Sequence, residues 1–174
     1  MIFWDNVKIR IAAVAVQLDH AKEKGISNVA KSAYLRAATI LICTIVEGMV
    51  YQLVKEHTKS QSNKITTIEE LKKLHQIPKT IFKRGDIFMC ERIEKDVCID
   101  DDGVSFAKLN SFLKKNKIIS ATEFRKLDYV RKERNKLHLQ GLSIRDTGYT
   151  MHKVRKVSEP TDFLSKKLQS VMGK

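Results

Sequence analysis

The sequence predicts an all-α fold: a single-domain helical bundle built on long antiparallel helices, with room for a short irregular or β segment between them. The 174 residues include only seven glycines and two prolines, so the turn residues typical of sandwiches, barrels and linkers are scarce. Hydrophobic residues make up 43% of the chain, which is enough for one core at this length. Apolar residues also recur every three or four positions over long stretches. We therefore expect residues 1–174 to form one domain.

The first helix is predicted from Asp5 to Lys24, where apolar residues recur with helical spacing. Gly25 stands where a C-terminal cap belongs. The apolar run 11–16 within this helix is shorter than the core of a signal peptide and has no cleavage site after it. This pattern predicts a cytoplasmic protein.

A second, long helix is predicted to start after Ser27 or Asn28 as the N-cap and to run to Lys59. Its middle, residues 37–54, is almost wholly apolar, which raises the question of a membrane span. Glu47 interrupts the apolar run and charged residues flank it, so we expect a buried central helix and no membrane contact.

Glu47 needs a partner in such a helix, because an ionised carboxylate removed from water costs several kcal/mol unless a cation or a donor meets it. Two arrangements satisfy this requirement. Either Glu47 lies on a solvated stripe of the helix, or it forms a buried pair with an arginine or histidine of another helix.

The middle of the chain is less regular. Thr67 and Glu70 have capping-box spacing, which predicts a short helix to about His75, and Pro78 would end it. Residues 81–102 mix apolar and acidic side chains and fit either a helix or a short hairpin.

Two more helices are predicted next. The apolar spacing of residues 105–117 favours an amphipathic helix. Ser120 and Glu123 form a second capping-box pattern, which opens a long helix to about Leu142.

The C-terminal part is expected to end in a helix. Residues 147–157 alternate partly between polar and apolar, which favours at best a short strand. Glu159 and Pro160 then open the final helix, since proline suits the first helical position.

The net charge of +13 favours a polyanionic partner. Residues 121–174 contribute +7 of this excess, from 13 basic and six acidic residues. Within this segment, basic residues are most concentrated on the long predicted helix. The basic stretch is either a solvated helix face or a phosphate-contacting surface. Its six basic residues are Arg125, Lys126, Arg131, Lys132, Arg134 and Lys136.

Four polar residues of this helix share one face. At 100° per residue, Arg131, Arg134, Asn135 and His138 fall within an arc of about 100°. Apolar residues border this arc, so we expect the cluster to be partly buried against another helix or another subunit.

A histidine beside two arginines suits phosphodiester chemistry without a metal. The imidazole can take the proton of a ribose 2′-hydroxyl while guanidinium groups hold the phosphate. The products would be a 2′,3′-cyclic phosphate and a 5′-hydroxyl, and DNA would not be cut. The alternative is a structural histidine that only packs and donates a hydrogen bond.

The segment from Arg131 to His138 resembles the signature of the HEPN superfamily (higher eukaryotes and prokaryotes nucleotide-binding), an arginine and a histidine separated by four to six residues. The resemblance implies a helical, commonly dimeric domain that acts as a metal-independent RNase in toxin–antitoxin systems or phage defence. It implies that His138 is catalytic, that Arg131 is the motif arginine and that Asn135 is the polar residue often found near it. Asn135 directly follows Arg134, so both arginines remain candidates.

The predicted site therefore comprises Arg131, Arg134, Asn135 and His138, with Glu47 and Gln140 supporting. Glu47 is expected to orient His138 or Arg134. The remaining basic residues of the helix are predicted to contact RNA: Arg125, Lys126, Lys132 and Lys136. The predicted partners are RNA, a second copy of the chain and a cognate antitoxin or regulatory protein.

No cofactor or metal is expected, because the three cysteines and the scattered histidines lack ligand spacing. Three functional interpretations remain open: a metal-independent endoribonuclease, a non-catalytic RNA- or nucleotide-binding module, and a protein-interaction subunit.

Overall fold

The computed structural model describes residues 2–76, 88–102, 104–139 and 148–173, and for His138 and Leu139 it describes the backbone alone. This part of the chain divides into two compact units. The helical unit comprises Met1–His57 and Ser105–Lys174, and the hairpin unit comprises Thr58–Val104. The prediction of one domain over 1–174 stays a prediction.

The helical unit contains six α-helices among its described residues. In chain order they are α1 (Ile2–His20), α2 (Asn28–Thr58, whose last residue belongs to the hairpin unit), α3 (Phe106–Lys115), α4 (Ala121–Leu139), α5 (Met151–Ser158) and α6 (Pro160–Met172).

The hairpin unit includes a 3₁₀ turn at Lys59–Gln61, directly after α2. It contains β1 (Lys64–Gln76) and β2 (Phe88–Cys98), which pair antiparallel. The prediction of an all-α fold is therefore wrong, because the protein combines helices with a two-stranded antiparallel sheet.

The predicted short helix from Thr67 to His75 is wrong, because this segment is β1. The run Ile65–Ile68 consists of β-branched residues, which favour an extended backbone. The Thr67 hydroxyl donates to Asp96 Oδ1 across the hairpin at 3.0 Å, instead of capping a helix. Of the two alternatives for residues 81–102, the described part from Phe88 to Cys98 is a hairpin strand.

The expected short strand over residues 147–157 is also wrong. Its described part forms most of α5, and the Thr150 hydroxyl caps this helix by accepting from the Lys153 backbone N–H. The partial alternation reflects helix amphipathicity, since Val154 and Val157 are the buried residues.

The remaining helices follow their local signals. Ser27 Oγ accepts from the Ala30 N–H at 3.2 Å and so caps α2, as predicted. The helix α1 ends at His20, four residues before the predicted end at Lys24, and Gly25 adopts the positive φ of 83° that favours glycine.

The core of the helical unit is formed by fully buried side chains of α2, α3, α4, α5 and α6. Burying each large apolar side chain stabilises the fold by roughly 1.5–3 kcal/mol. Among them are Met49, Val50, Leu53, Leu113, Leu127, Val130, Val157, Leu164 and Leu168.

The helix α2, with the turn that follows it, is long and apolar enough to cross a bilayer by length and composition. Inside the protein, 56% of its most apolar stretch is buried, as in the core helix of a soluble protein.

Candidate functional site

The helix α4 carries the predicted cluster, and a capping box fixes its start. The Ser120 backbone N–H donates to Glu123 Oε2 at 2.7 Å, and the Glu123 N–H donates to Ser120 Oγ at 3.2 Å. This reciprocal pair satisfies two donors at the helix start, as the sequence predicts. Leu127 and Val130, both fully buried, hold one face of α4 in the core.

Glu47 of α2 meets Arg134 of α4. The Arg134 Nε lies 2.8 Å from Glu47 Oε2, and the two side chains are 36% and 29% exposed. Glu47 therefore pairs with an arginine of another helix, as one alternative predicts, but the pair is half-buried and not fully buried. Of the two residues that Glu47 was expected to orient, the described contact is with Arg134.

Arg131 has a different partner, one turn back on its own helix. Its Nε and Nη2 donate to Asp128 Oδ1 at 2.9 and 2.7 Å. Lys132 Nζ lies 2.8 Å from the other oxygen of the same carboxylate. The hydrogen bond from Lys132, followed by that from Arg131, lowers the pKa of Asp128 below its usual range. The two arginines are thus held by separate carboxylates.

Glu133 is a buried acid that sequence reasoning did not single out as a site residue. It is 4% exposed, and Lys136 Nζ donates to its Oε1 at 2.7 Å. This hydrogen bond raises the pKa of Lys136 above its usual range. Glu133 is therefore a half of an ion pair anchored in the core, and not a helix-surface charge.

A pocket of about 230 Å³ lies beside the Glu47–Arg134 pair, between α2 and α4. Its lining combines the ion pair with apolar and small side chains: Ile40, Cys43, Thr44, Glu47, Arg134 and Leu137. An arginine at the wall of a partly apolar pocket can hold an anionic group there while the rest of a ligand packs against hydrocarbon.

Cys43 is a buried thiol in the wall of this pocket. Burial, reinforced by the nearby Glu133 carboxylate, raises the pKa of Cys43 to about 12. A thiol with that pKa stays protonated near neutral pH and is a poor nucleophile. Cys43 thus contributes packing and no covalent chemistry.

A second pocket, of about 400 Å³, lies between α1 and α2. It shares Thr44 and Glu47 with the first pocket and is also lined by Phe3, Arg10 and Tyr51. Glu47 therefore contributes to two cavities, which a sequence pattern could not reveal because the packing of α1 and α4 on α2 decides it.

The residues predicted to contact RNA are mostly ion-paired. Lys126 Nζ lies 3.0 Å from Glu159, and Lys132 and Lys136 bind Asp128 and Glu133 as described above. Arg125 is exposed. The Lys126–Glu159 pair is exposed on both sides and contributes only about 0–1 kcal/mol, so Lys126 can exchange its carboxylate for a phosphate at small cost. Lys136 cannot do so as easily, because its departure would leave the buried Glu133 carboxylate unpaired.

The other predicted site residues are placed only in part. Asn135 is exposed on α4. His138 lies on α4 one turn after Arg134, but its side chain falls outside the described structure, as does the whole of Gln140.

Within the described residues, no three His, Cys, Asp or Glu side chains come together as metal ligands. The absence of a metal or cofactor stays a prediction. Comparison of the chain with known protein families, with curated proteins and with solved structures finds no match.

Proposed function

We propose that this protein is a metal-independent endoribonuclease of the HEPN type. The observation that supports the proposal best is the Glu47–Arg134 ion pair beside the pocket between α2 and α4, one helical turn from His138. A guanidinium at a pocket wall can hold a phosphate, and a histidine on the same helix can supply general acid–base catalysis.

In the proposed reaction, His138 takes the proton from a ribose 2′-hydroxyl, and the resulting oxygen attacks the adjacent phosphorus. The bond to the 5′-oxygen breaks, and a protonated imidazole supplies the proton to that leaving group. Either the imidazole of the same His138, protonated in the first step, or that of His138 in a second copy donates this proton. The products are a 2′,3′-cyclic phosphate and a 5′-hydroxyl.

Arg134 and Arg131 hold the scissile phosphate in this proposal. Glu47 engages Nε of Arg134, and a guanidinium has four more N–H donors on its terminal nitrogens. The carboxylate therefore sets the orientation of the group without consuming its phosphate-binding edge. Asn135 and Gln140 supply further hydrogen bonds.

We further propose that two copies associate through α4, so that paired arginines and histidines form one composite site. The basic residues Arg125, Lys126, Lys132 and Lys136 would line the path of the RNA. A toxin or phage-defence role in the cytoplasm, silenced by an antitoxin or a regulatory protein, fits such an activity.

The test compares His138→Ala with wild type on labelled RNA in the presence of EDTA, using a 2′-deoxy copy as the substrate control. His152→Ala is the matched protein control, because it removes an exposed histidine from α5. We expect cleavage by wild type and by His152→Ala, and a loss of at least 100-fold in His138→Ala. Equal cleavage by both variants would remove His138 as the catalyst.

A non-catalytic RNA-binding module is the second candidate. It is favoured by the neutralisation of both arginines, Arg134 by Glu47 and Arg131 by Asp128. Binding that weakens with salt, without cleavage of any RNA tested, would support this function.

A further inference from the structure

The hairpin of β1 and β2 exposes large apolar side chains. Leu71 is 67% exposed, Leu74 51% and Met89 48%. A two-stranded ribbon has an open edge on each strand, and a ribbon of this kind alone is marginally stable in water. The exposed apolar residues and the open edges both favour a partner for the hairpin.

The charges of β1 are arranged antisymmetrically about Leu71. Glu69 and Glu70 precede it, and Lys72 and Lys73 follow it. A two-fold axis at Leu71 would set β1 antiparallel to β1 of a second copy. It would bring Glu70 opposite Lys72 and Glu69 opposite Lys73, twice each, with Leu71 opposite its own counterpart.

We propose that this edge of β1 pairs with the same edge of a second copy, so that two hairpins form one four-stranded antiparallel sheet with Leu71 on the two-fold axis. Directly opposite residues of antiparallel strands have Cβ atoms about 4.5–5.5 Å apart, which is close enough for each Glu–Lys pair to form. The inference does not rest on the proposed ribonuclease activity.

Neighbouring registers lose this complementarity. Moving the axis to residue 70 places Glu70 opposite Glu70, and moving it to residue 72 places Lys72 opposite Lys72. Lysines on an edge strand usually discourage pairing. Here the register with Leu71 on the two-fold axis places a glutamate of the second copy opposite each lysine.

The glutamates of β1 already have partners within the hairpin. Glu69 is directly opposite Glu94, and Arg92 Nη1 lies 3.4 Å from Glu69 Oε2. Lys95 Nζ lies 3.9 Å from Glu70 Oε1. Both ion pairs are exposed and contribute only about 0–1 kcal/mol, so Lys72 and Lys73 of a second copy can compete for the same carboxylates.

The outer edge of β2 is the rival surface, because its charges are also antisymmetric, about Ile93. Glu91 and Arg92 precede Ile93, and Glu94 and Lys95 follow it. Ile93 is only partly exposed, however, so pairing there would bury less apolar surface than pairing at Leu71. We therefore assign the contact to β1.

Disulfide trapping distinguishes the two edges. Leu71→Cys and Ile93→Cys are compared in a chain whose Cys90 and Cys98 are replaced by serine, and covalent dimer is measured over time on non-reducing gels at low micromolar protein. We expect Leu71→Cys to form dimer at least tenfold faster than Ile93→Cys. Adding Lys72→Glu and Lys73→Glu to the Leu71→Cys chain should abolish this advantage. Equal rates, or a faster reaction of Ile93→Cys, would overturn the proposal.

A second measurement uses the unaltered chain and so does not depend on whether the variants fold. A mixture of ¹⁴N- and ¹⁵N-labelled protein is treated with a carbodiimide, which joins a lysine amine directly to a carboxylate. Mixed-isotope peptides linking Lys72 to Glu70, or Lys73 to Glu69, are expected. If all links between these residues join peptides of one isotope, the proposed sheet is absent.

Discussion

Arg134 Nε of α4 lies 2.8 Å from Glu47 Oε2 of α2, so an ion pair joins the basic helix to the central apolar helix at the wall of a pocket. The carboxylate is 29% exposed and the guanidinium 36%. Solvent therefore screens the pair, and we expect it to contribute little to the free energy of unfolding. Its main role in the proposed site is to orient Arg134.

Replacing Glu47 with Gln should reduce RNA cleavage about tenfold and change stability by at most about 1 kcal/mol, because the amide keeps the shape but not the charge. The measurement is a double-mutant cycle with Arg134→Gln, in which cleavage and urea unfolding are both followed. Additive effects on cleavage would show that Glu47 does not act through Arg134.

Asp128 should give the protein an acid-sensitive contribution to stability. Its folded-state pKa is lowered by Lys132 and Arg131, so this contribution is complete above the unfolded pKa of about 3.9. It is then lost as the pH falls through the lower, folded pKa. Urea denaturation between pH 6 and pH 2 should show that the free energy of unfolding falls less in Asp128→Asn than in wild type. Parallel curves for the two proteins would exclude this linkage.

Cys43 should resist alkylation, because its thiol is buried and its pKa is about 12. At pH 8, iodoacetamide should modify the exposed Cys90 first and Cys43 only after denaturation. Mass spectrometry of the labelled peptides measures the order. Rapid labelling of Cys43 in the native protein would contradict the packing of α2 against α4.

Ser120→Ala should destabilise the helical unit by about 1 kcal/mol, since it removes the side-chain acceptor that caps α4. Thr122→Ala is the matched control, as Thr122 is an exposed residue of the same helical turn. Chemical denaturation of the two variants measures the difference. Equal stability of Ser120→Ala and the control would show that the capping box contributes nothing.

Local signals in the sequence predict the starts of α2 and α4. Ser120 with Glu123, and Ser27 before α2, are short-range patterns whose hydrogen bonds form within one helical turn. The cost of an unpaired carboxylate in an apolar helix predicts that Glu47 has either solvent or a cation beside it, and the packing of α4 on α2 decides that the partner is Arg134. The Asp128–Arg131 pair also has the i, i+3 spacing that is typical of ion pairs within a helix.

The hairpin could not be predicted in the same way. Ile65, Ile68, Leu71 and Leu74 recur at intervals of three, which is closer to the spacing of a helix than to the alternation of a strand. Pairing with β2, distant along the chain, decides the conformation. The burial of Glu133 likewise depends on how α4 packs, and the spacing of charges does not show it.

The most direct test of the central claim is the end chemistry of RNA fragments produced by the purified protein in excess EDTA. If His138 activates the ribose 2′-hydroxyl without a metal, the fragments carry 2′,3′-cyclic phosphate and 5′-hydroxyl ends. Mass spectrometry identifies these ends. Fragments ending in 3′-hydroxyl and 5′-phosphate, or cleavage that disappears with EDTA, would contradict the proposed site.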